Sequence, residues 1–393
     1  MKFRFGKIIA VLAVAGIVAA CNNKAVDTAP DKLVRDGLQK MSTQDNKFNF
    51  SGTAKLEFDS SSDSVKVNKN SVAQSEQASQ TVAGSDINTS TEVRTNPYSS
   101  KSYYQDFLKY ISSSFTINFT GAVDFSKGKV EIVPEYRYEA KNALSTFKFP
   151  IQVDVTKLRI YIDASAITNF TDTMMKSTYP SKVVGDRYIL LAAPQDRVQH
   201  LPIGDLIKDL PKAMDDGFAS IDPKSFAKVN IDDYGKKVNA KYQVKLNTTM
   251  KGSTKTTVAM LDSLSKALQQ QGQEATVKKG QYQQQDYMVL KQFVDNMSSF
   301  YKHNLDENSS SGRYSEMLKQ FEKMSMIYDY YFDEKGRIVA MRGKIQLGSG
   351  IDGQFGGNLS VILEKKIDYS TPKFTMEPNE QNTYNIRSHL GLN

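Results

Sequence analysis

The chain has 393 residues and a formal charge of +8, from 51 Lys and Arg against 43 Asp and Glu. Its single cysteine, Cys21, excludes an internal disulfide, and no run of consecutive Lys or Arg marks a nucleic-acid track. With 20 Phe, 20 Tyr and no Trp, it is long enough for one large β-rich domain or two smaller ones, each with a real core.

Met1 to Lys7 carries three basic residues, and Ile8 to Ala20 is almost wholly apolar. A basic start, a short apolar run and small residues before a cut define a secretory signal peptide over 1–20. The run is too short to cross about 30 Å of hydrocarbon, and no later one reaches the roughly 18 apolar residues that a spanning helix needs. Val18-Ala19-Ala20-Cys21 resembles the lipobox of bacterial lipoproteins, whose cysteine is diacylated and becomes the new N-terminus. That resemblance implies a membrane partner held through diacylglycerol and N-acyl chains on Cys21. One acyl chain binds marginally, whereas two or three hold a protein on the bilayer. Asn22, where an Asp would signal retention, implies sorting to the outer membrane, with the body at the periplasmic face or the cell surface. Loss of Lys2, Arg4 and Lys7 with the leader lowers the charge from +8 to +5, a mild excess that argues against a nucleic-acid partner.

Residues 21–30 form the anchor and tether, which reaches about 30 Å at most. Thr28, Pro30 and Asp31 read as a helix start, with Thr28 as the cap, and Val34, Leu38 and Met41 line one face of the helix that follows. A repeat at an offset of 69 sets this stripe against Tyr103, Phe107 and Tyr110. It also sets Phe48-Asn-Phe-Ser-Gly52 against Ile117-Asn-Phe-Thr-Gly121. Both units read as a short amphipathic helix followed by an alternating strand. Between them, 60–102 is a polar stretch poor in large apolar residues.

From Phe115 the chain is strongly β, with Lys129 to Ala140, Thr146 to Val155, Lys157 to Ala164 and Tyr188 to Leu191 as successive strands. Short turns between them predict an antiparallel meander. An N-terminal β-rich domain is thus expected over 31–195, and a C-terminal α+β domain over 196–393. Pro194 to Pro223, with four prolines, reads as a crossover or interdomain segment, and Lys241 to Leu246 as a strand. Three amphipathic helices follow: Val258, Leu261, Leu264 and Leu268; Leu290, Phe293, Val294, Met297, Phe300 and Tyr301; and Tyr314, Met317, Leu318, Phe321 and Met324. Ile327 to Phe332, the turn Asp333-Glu-Lys-Gly336, and Arg337 to Arg342 form a hairpin. Lys344 to Leu347, Leu359 to Lys365 and Lys373 to Met376 read as further strands.

The fold class is α+β: a curved antiparallel sheet, a half-barrel-like meander with amphipathic helices on one face and two similar halves. With a lipid anchor in front, this resembles the LolA, LolB and LppX type of envelope lipoproteins. The likeness rests on the architecture, the Tyr331-Phe-Asp-Glu-Lys-Gly-Arg337 hairpin, Tyr369-Ser-Thr-Pro372 and Pro378. It implies a concave cavity that takes acyl chains, and no ligand residue carries over from it.

His200, His303 and His389 lie far apart, with no ligand spacing for zinc or iron. Gly348-Ser-Gly350-Ile-Asp-Gly353 matches G-x-G-x-x-G by letters, but a strand follows where a dinucleotide site needs a helix. Ser145-Thr-Phe-Lys148 and Ser263-Leu-Ser-Lys266 match S-x-x-K without its companion motifs. Asp215-Asp216 and Asp232-Asp233 lack calcium-loop spacing. The expectation is a protein without catalytic residues, metal or cofactor. It binds an amphiphile or an envelope-protein partner, with Phe293, Met297, Phe300 and Tyr301 as candidate cavity lining. The alternative is a structural lipoprotein that scaffolds an envelope complex.

Overall fold

The computed structural model describes residues 28–59, 100–166, 188–194, 198–277, 281–305, 322–348 and 357–385. The leader, Cys21, most of the polar stretch 60–102, the predicted helix from Tyr314, Gly350 and Gly353, and His389 lie outside them.

Helix α1 (Pro30–Thr43) leads into strand β1 (Lys47–Asp59), and α2 (Ser100–Ser114) into β2 (Phe115–Asp124). Then come β3 (Lys129–Ala140), β4 (Ala143–Lys148), β5 (Ile151–Asp154), β6 (Arg159–Ile162) and β7 (Tyr188–Ala192). The second half holds α3 (Ile203–Ala219), β8 (Phe226–Val229), α4 (Asp233–Lys237), β9 (Tyr242–Thr249), α5 (Met250–Ala275) and α6 (Gln284–Leu305). It closes with β10 (Ser325–Phe332), β11 (Ile338–Gly348), β12 (Asn358–Asp368) and β13 (Thr383–Asn385).

All 13 strands join one curved, unclosed sheet in the order β13-β7-β6-β5-β3-β2-β1-β12-β11-β10-β9-β8, with β4 beside β3. Every pairing is antiparallel except β13 with β7. The predicted boundary near 195 falls between β7 and α3, and the sheet runs across it because β1 pairs with β12. Pro134, which has no N–H to give a ladder, sits where the partner of β3 changes from β4 to β5.

Alternation along the strands gives the sheet two different faces. On the face that the long helices cover, taken as the concave one, α1 buries Leu33, Val34, Leu38 and Met41 with Phe48, Val123, Val244, Leu246, Tyr330, Phe332 and Ile367. α3 joins this core through Met214, and α5 through Met260. A bidentate Arg35–Asp215 pair (2.7 and 2.6 Å) ties α1 to α3. A second cluster, with Ala213, Leu264, Leu268, Tyr287, Leu290 and Val294, holds α3, α5 and α6 together. On the convex face, α4 covers Tyr331 and Ala340.

Four expectations need correction. The cap of α1 is Ala29, with no side-chain bond, and not Thr28; Pro30 pre-sets the first turn instead. Residues 203–219 of the proline-rich stretch form α3, a helix of the core, despite Pro211 inside it, because Ile203, Ala213, Met214 and Gly217 are buried along one side. Lys373 to Met376 is not a strand. Its backbone bonds to a side chain instead, since Glu131 accepts from Thr375 N (2.6 Å), Thr375 Oγ1 (2.8 Å), Met376 N (3.0 Å) and Gln152 Nε2 (2.7 Å). The segment after β12 is thus a strap across the convex face, fixed further by Asn49 on Ser370, Thr371 and Lys373. Last, the repeat's second stripe is not a core stripe: Tyr103, Phe107 and Tyr110 are exposed.

The predicted β10–β11 hairpin is present. Asp333 closes its turn by accepting from Lys335 N (3.0 Å), Arg337 N (2.9 Å) and Arg337 Nε (2.8 Å), and Gly336 takes the positive φ of 69° that a side chain would strain.

Candidate functional site

The strand registers turn the concave face into a grid. One row runs Ile367–Phe50–Gly121–Ile132–Ile151–Ile162–Ile189 across seven strands. The row below it, toward the core, is Phe48–Val123–Val130–Val153–Ile160–Leu191. The row above is Met341–Lys365–Gly52–Phe119–Pro134, and the next is Gly343–Leu363–Ala54–Ile117–Tyr136–Phe147. The helices cover the first part of this floor and leave the rest partly open. Ile151, Ile162 and Ile189 are half-buried, and Leu363 keeps 42% of its surface exposed. At the outer end Tyr110 of α2 meets Tyr138 hydroxyl to hydroxyl, with Phe115 tilted against Tyr138 at 5.0 Å.

Lys365 is the single charged side chain in these four rows. Its cross-strand partners are Gly52 and Met341, and its same-face neighbours on β12 are Leu363 and Ile367. The ammonium lies over the Phe50 ring, 5.3 Å from the centroid. Among the described residues no carboxylate pairs with it, and burial alone pushes its pKa down to about 8. Phe50 and Phe119 sit beside it, tilted at 54° with centroids 6.2 Å apart. Their rings occupy the space that Cβ atoms at Gly121 and Gly52 would need. The sequence offered a signal for this lysine. It lies in phase with Leu359, Val361, Leu363 and Ile367, so alternation along β12 sends a charge to the apolar side.

The residues predicted to line a cavity stand elsewhere. α6 buries Tyr287, Leu290, Val294 and Ser298, and leaves Phe293 61% and Phe300 39% exposed. Phe300 meets Tyr301 edge-on at 5.6 Å, and Met297 and Tyr301 are half-buried. The four share one stretch of α6, away from the grid.

Several other polar groups on the described residues pair with their neighbours. Asp215 holds Arg35, Asp216 accepts from Ser263 (2.6 Å), and Asp232 caps α4 through Gly235 N (2.8 Å) while accepting from Tyr331 (2.9 Å). Ser145 and Lys148 lie on the exposed strand β4. His200 contacts Gln199, and His303 ends α6. Among the described residues no group of three His, Cys, Asp or Glu could hold a metal ion. A shallow cleft of about 210 Å³ on the convex face is polar, lined by Glu57, Lys344, Gln346 and Ser360, and its Lys344 is paired with Glu57 at 3.3 Å.

No described helix is long and apolar enough to cross a membrane. Compared with known proteins, the chain matches no family model, no curated protein and no solved structure.

Proposed function

We propose that this is an exported, non-enzymatic lipoprotein, tethered through Cys21 to the outer membrane, that binds the apolar part of an amphiphile against the concave face of its sheet. The observation that carries the reading is the row of Ile132, Ile151, Ile162 and Ile189, in direct register over four strands, with Ile132 exposed and the other three half-buried. A contiguous apolar floor left partly uncovered favours a ligand, since burial recovers about 25 cal/mol per Å² of apolar area. The curvature of the sheet supports a half-barrel around that ligand. The β1–β2 register sets Ser51 opposite Thr120, its equivalent at the offset of 69, and supports two copies of one helix–strand unit.

The test is native mass spectrometry of the anchored protein extracted from its membrane in mild non-ionic detergent. Co-extracted lipid adducts are expected, and Ile151→Asn with Ile162→Asn is expected to abolish them. A clean, empty mass for the native protein overturns the reading. The exposed aromatic stripe of α2 (Tyr103, Phe107 and Tyr110) favours a second reading, an envelope scaffold. In that case crosslinking in intact cells traps one protein neighbour at Phe107.

A further inference from the structure

We infer that the amphiphile bound on the concave face carries an anionic head, a carboxylate or a phosphate, and that Lys365 is its counter-ion. The inference rests on the amphiphile reading and names the chemistry that the ligand must have.

The argument starts from what a lysine costs at such a position. An ammonium taken from water into apolar surroundings loses several kcal/mol of hydration unless an anion replaces it. Surface strands tolerate lysine because its head reaches water, and Lys365 sits on the opposite face from its charged sequence neighbours Glu364 and Lys366. Glu364 pairs with Arg342 at 3.4 Å on the convex side. Lys365 has Gly52, Met341, Leu363 and Ile367 around it, and among the described residues its favourable contact is the Phe50 ring. A cation over a phenyl face recovers part of the lost hydration and holds the head in place. The ammonium is therefore partly desolvated, held over the Phe50 ring and without an anion among the described residues.

Its position matches an amphiphile's shape. Lys365 stands one row above Ile367 and the isoleucine row, and one row below the exposed Leu363. A chain that lies along Ile189, Ile162, Ile151 and Ile132 and continues past Gly121 to Phe50 would bring its end beside the lysine. Gly52 carries no side chain of its own there, and the Phe119 ring that covers it adds a second aromatic edge beside the lysine. The lowered pKa has the same origin and adds a consequence: an anion at this spot would raise it again.

The experiment incubates the full anchored protein, in non-ionic detergent, with an equimolar mixture of a 16-carbon fatty acid, the matching lysophosphatidic acid and the matching alcohol. Native mass spectrometry then counts the adducts. A charge-assisted contact is expected to favour the anionic ligands about tenfold over the alcohol. Lys365→Met is expected to keep the alcohol adduct and lose the preference, and Lys365→Arg to keep both. Preference for the carboxylate or for the phosphate identifies which source the site takes. Equal binding of acid and alcohol by the native protein, or equal preference in Lys365→Met, overturns the assignment of Lys365 while the amphiphile reading stands. Loss of the preference in Lys365→Arg as well overturns the charge as its cause. Absence of any adduct on the native protein sinks the amphiphile reading itself and this inference with it.

Discussion

Phe50 and Phe119 lie diagonally across the β1–β2 ladder, and each ring covers the glycine of the other strand. A Cβ on Gly52 would stand 2.4 Å from Phe119 Cζ and 2.0 Å from the Glu364 carbonyl oxygen. A Cβ on Gly121 would stand 2.3 Å from Phe50 Cζ and 2.2 Å from the Glu131 carbonyl oxygen. Glycines paired with aromatic rings in this way let a sheet bend without opening a void. Gly52→Ala is expected to destabilise the protein by about 2–4 kcal/mol, and Gly121→Ala by a similar amount. Urea unfolding followed by circular dichroism measures both. Adding Phe119→Leu to Gly52→Ala should restore only part of the loss, because a backbone carbonyl cannot move aside as a ring can.

Lys365 sets a pH dependence whose sign follows from burial. Its pKa falls from 10.5 to about 8 in the folded protein, so between those values the unfolded chain holds the proton more tightly. Stability from this group therefore rises with pH through that window, and below about 8 the folded state bears the full cost. Lys365→Met is expected to be more stable than the native protein at pH 7 by about 1–3 kcal/mol, allowing for partial solvation. The gain should shrink steadily and vanish near pH 11. Thermal midpoints of the two proteins at pH 7, 9 and 11 decide it, since other groups titrate equally in both. A constant gain across that range would mean that packing, and not charge, separates the two.

Much of the sheet was legible in the sequence, because its strands alternate and its β10–β11 turn carries Asp333 and Gly336 at the positions that a tight turn requires. The repeated Phe-x-Gly pattern marks both β1 and β2 as strands, and their pairing appears only in the fold. Alternation cannot show which of two apolar phases is covered, and so Tyr103 and Phe107 read like Val34 and Leu38. Helix α3 was hidden by Pro211, whose cost is offset by contacts from distant strands. The strap could not be read at all: Lys373 to Met376 looks like a strand, and the carboxylate that replaces its ladder is more than 240 positions away in sequence. Lys365 is hard to read because its charge suggests a strand end, and only Ile367, two residues on, places it in the apolar phase.

Glu131 is fully buried and accepts four hydrogen bonds from Gln152, Thr375 and Met376. Glu131→Ala would leave the buried Met376 N–H without an acceptor, at about 1–3 kcal/mol, and would also remove the bonds from the more exposed Thr375 and from Gln152. The expected loss is about 3 kcal/mol or more, with new protease cleavage near Lys373 as the strap lifts from β3 and β5. Thr375→Ala removes only the hydroxyl bond and should cost about 1 kcal/mol. If limited proteolysis gives the same pattern for Glu131→Ala and the native protein, the strap is held by something other than this carboxylate.

Leu38 and Phe107 are equivalent positions of the 69-residue repeat and have opposite surroundings. Leu38 is 3% exposed inside the core, whereas Phe107 is 49% exposed on α2. Removing a buried leucine side chain leaves a cavity lined by α1 and the concave sheet face, so Leu38→Ala is expected to cost about 2–4 kcal/mol. Phe107→Ala removes a ring that already faces solvent and should change stability by less than about 0.5 kcal/mol. Chemical denaturation of the two variants side by side provides the check, with the native unfolding slope as reference. A Phe107→Ala loss comparable to that of Leu38→Ala would place a covering surface over α2 and would make its stripe part of a core.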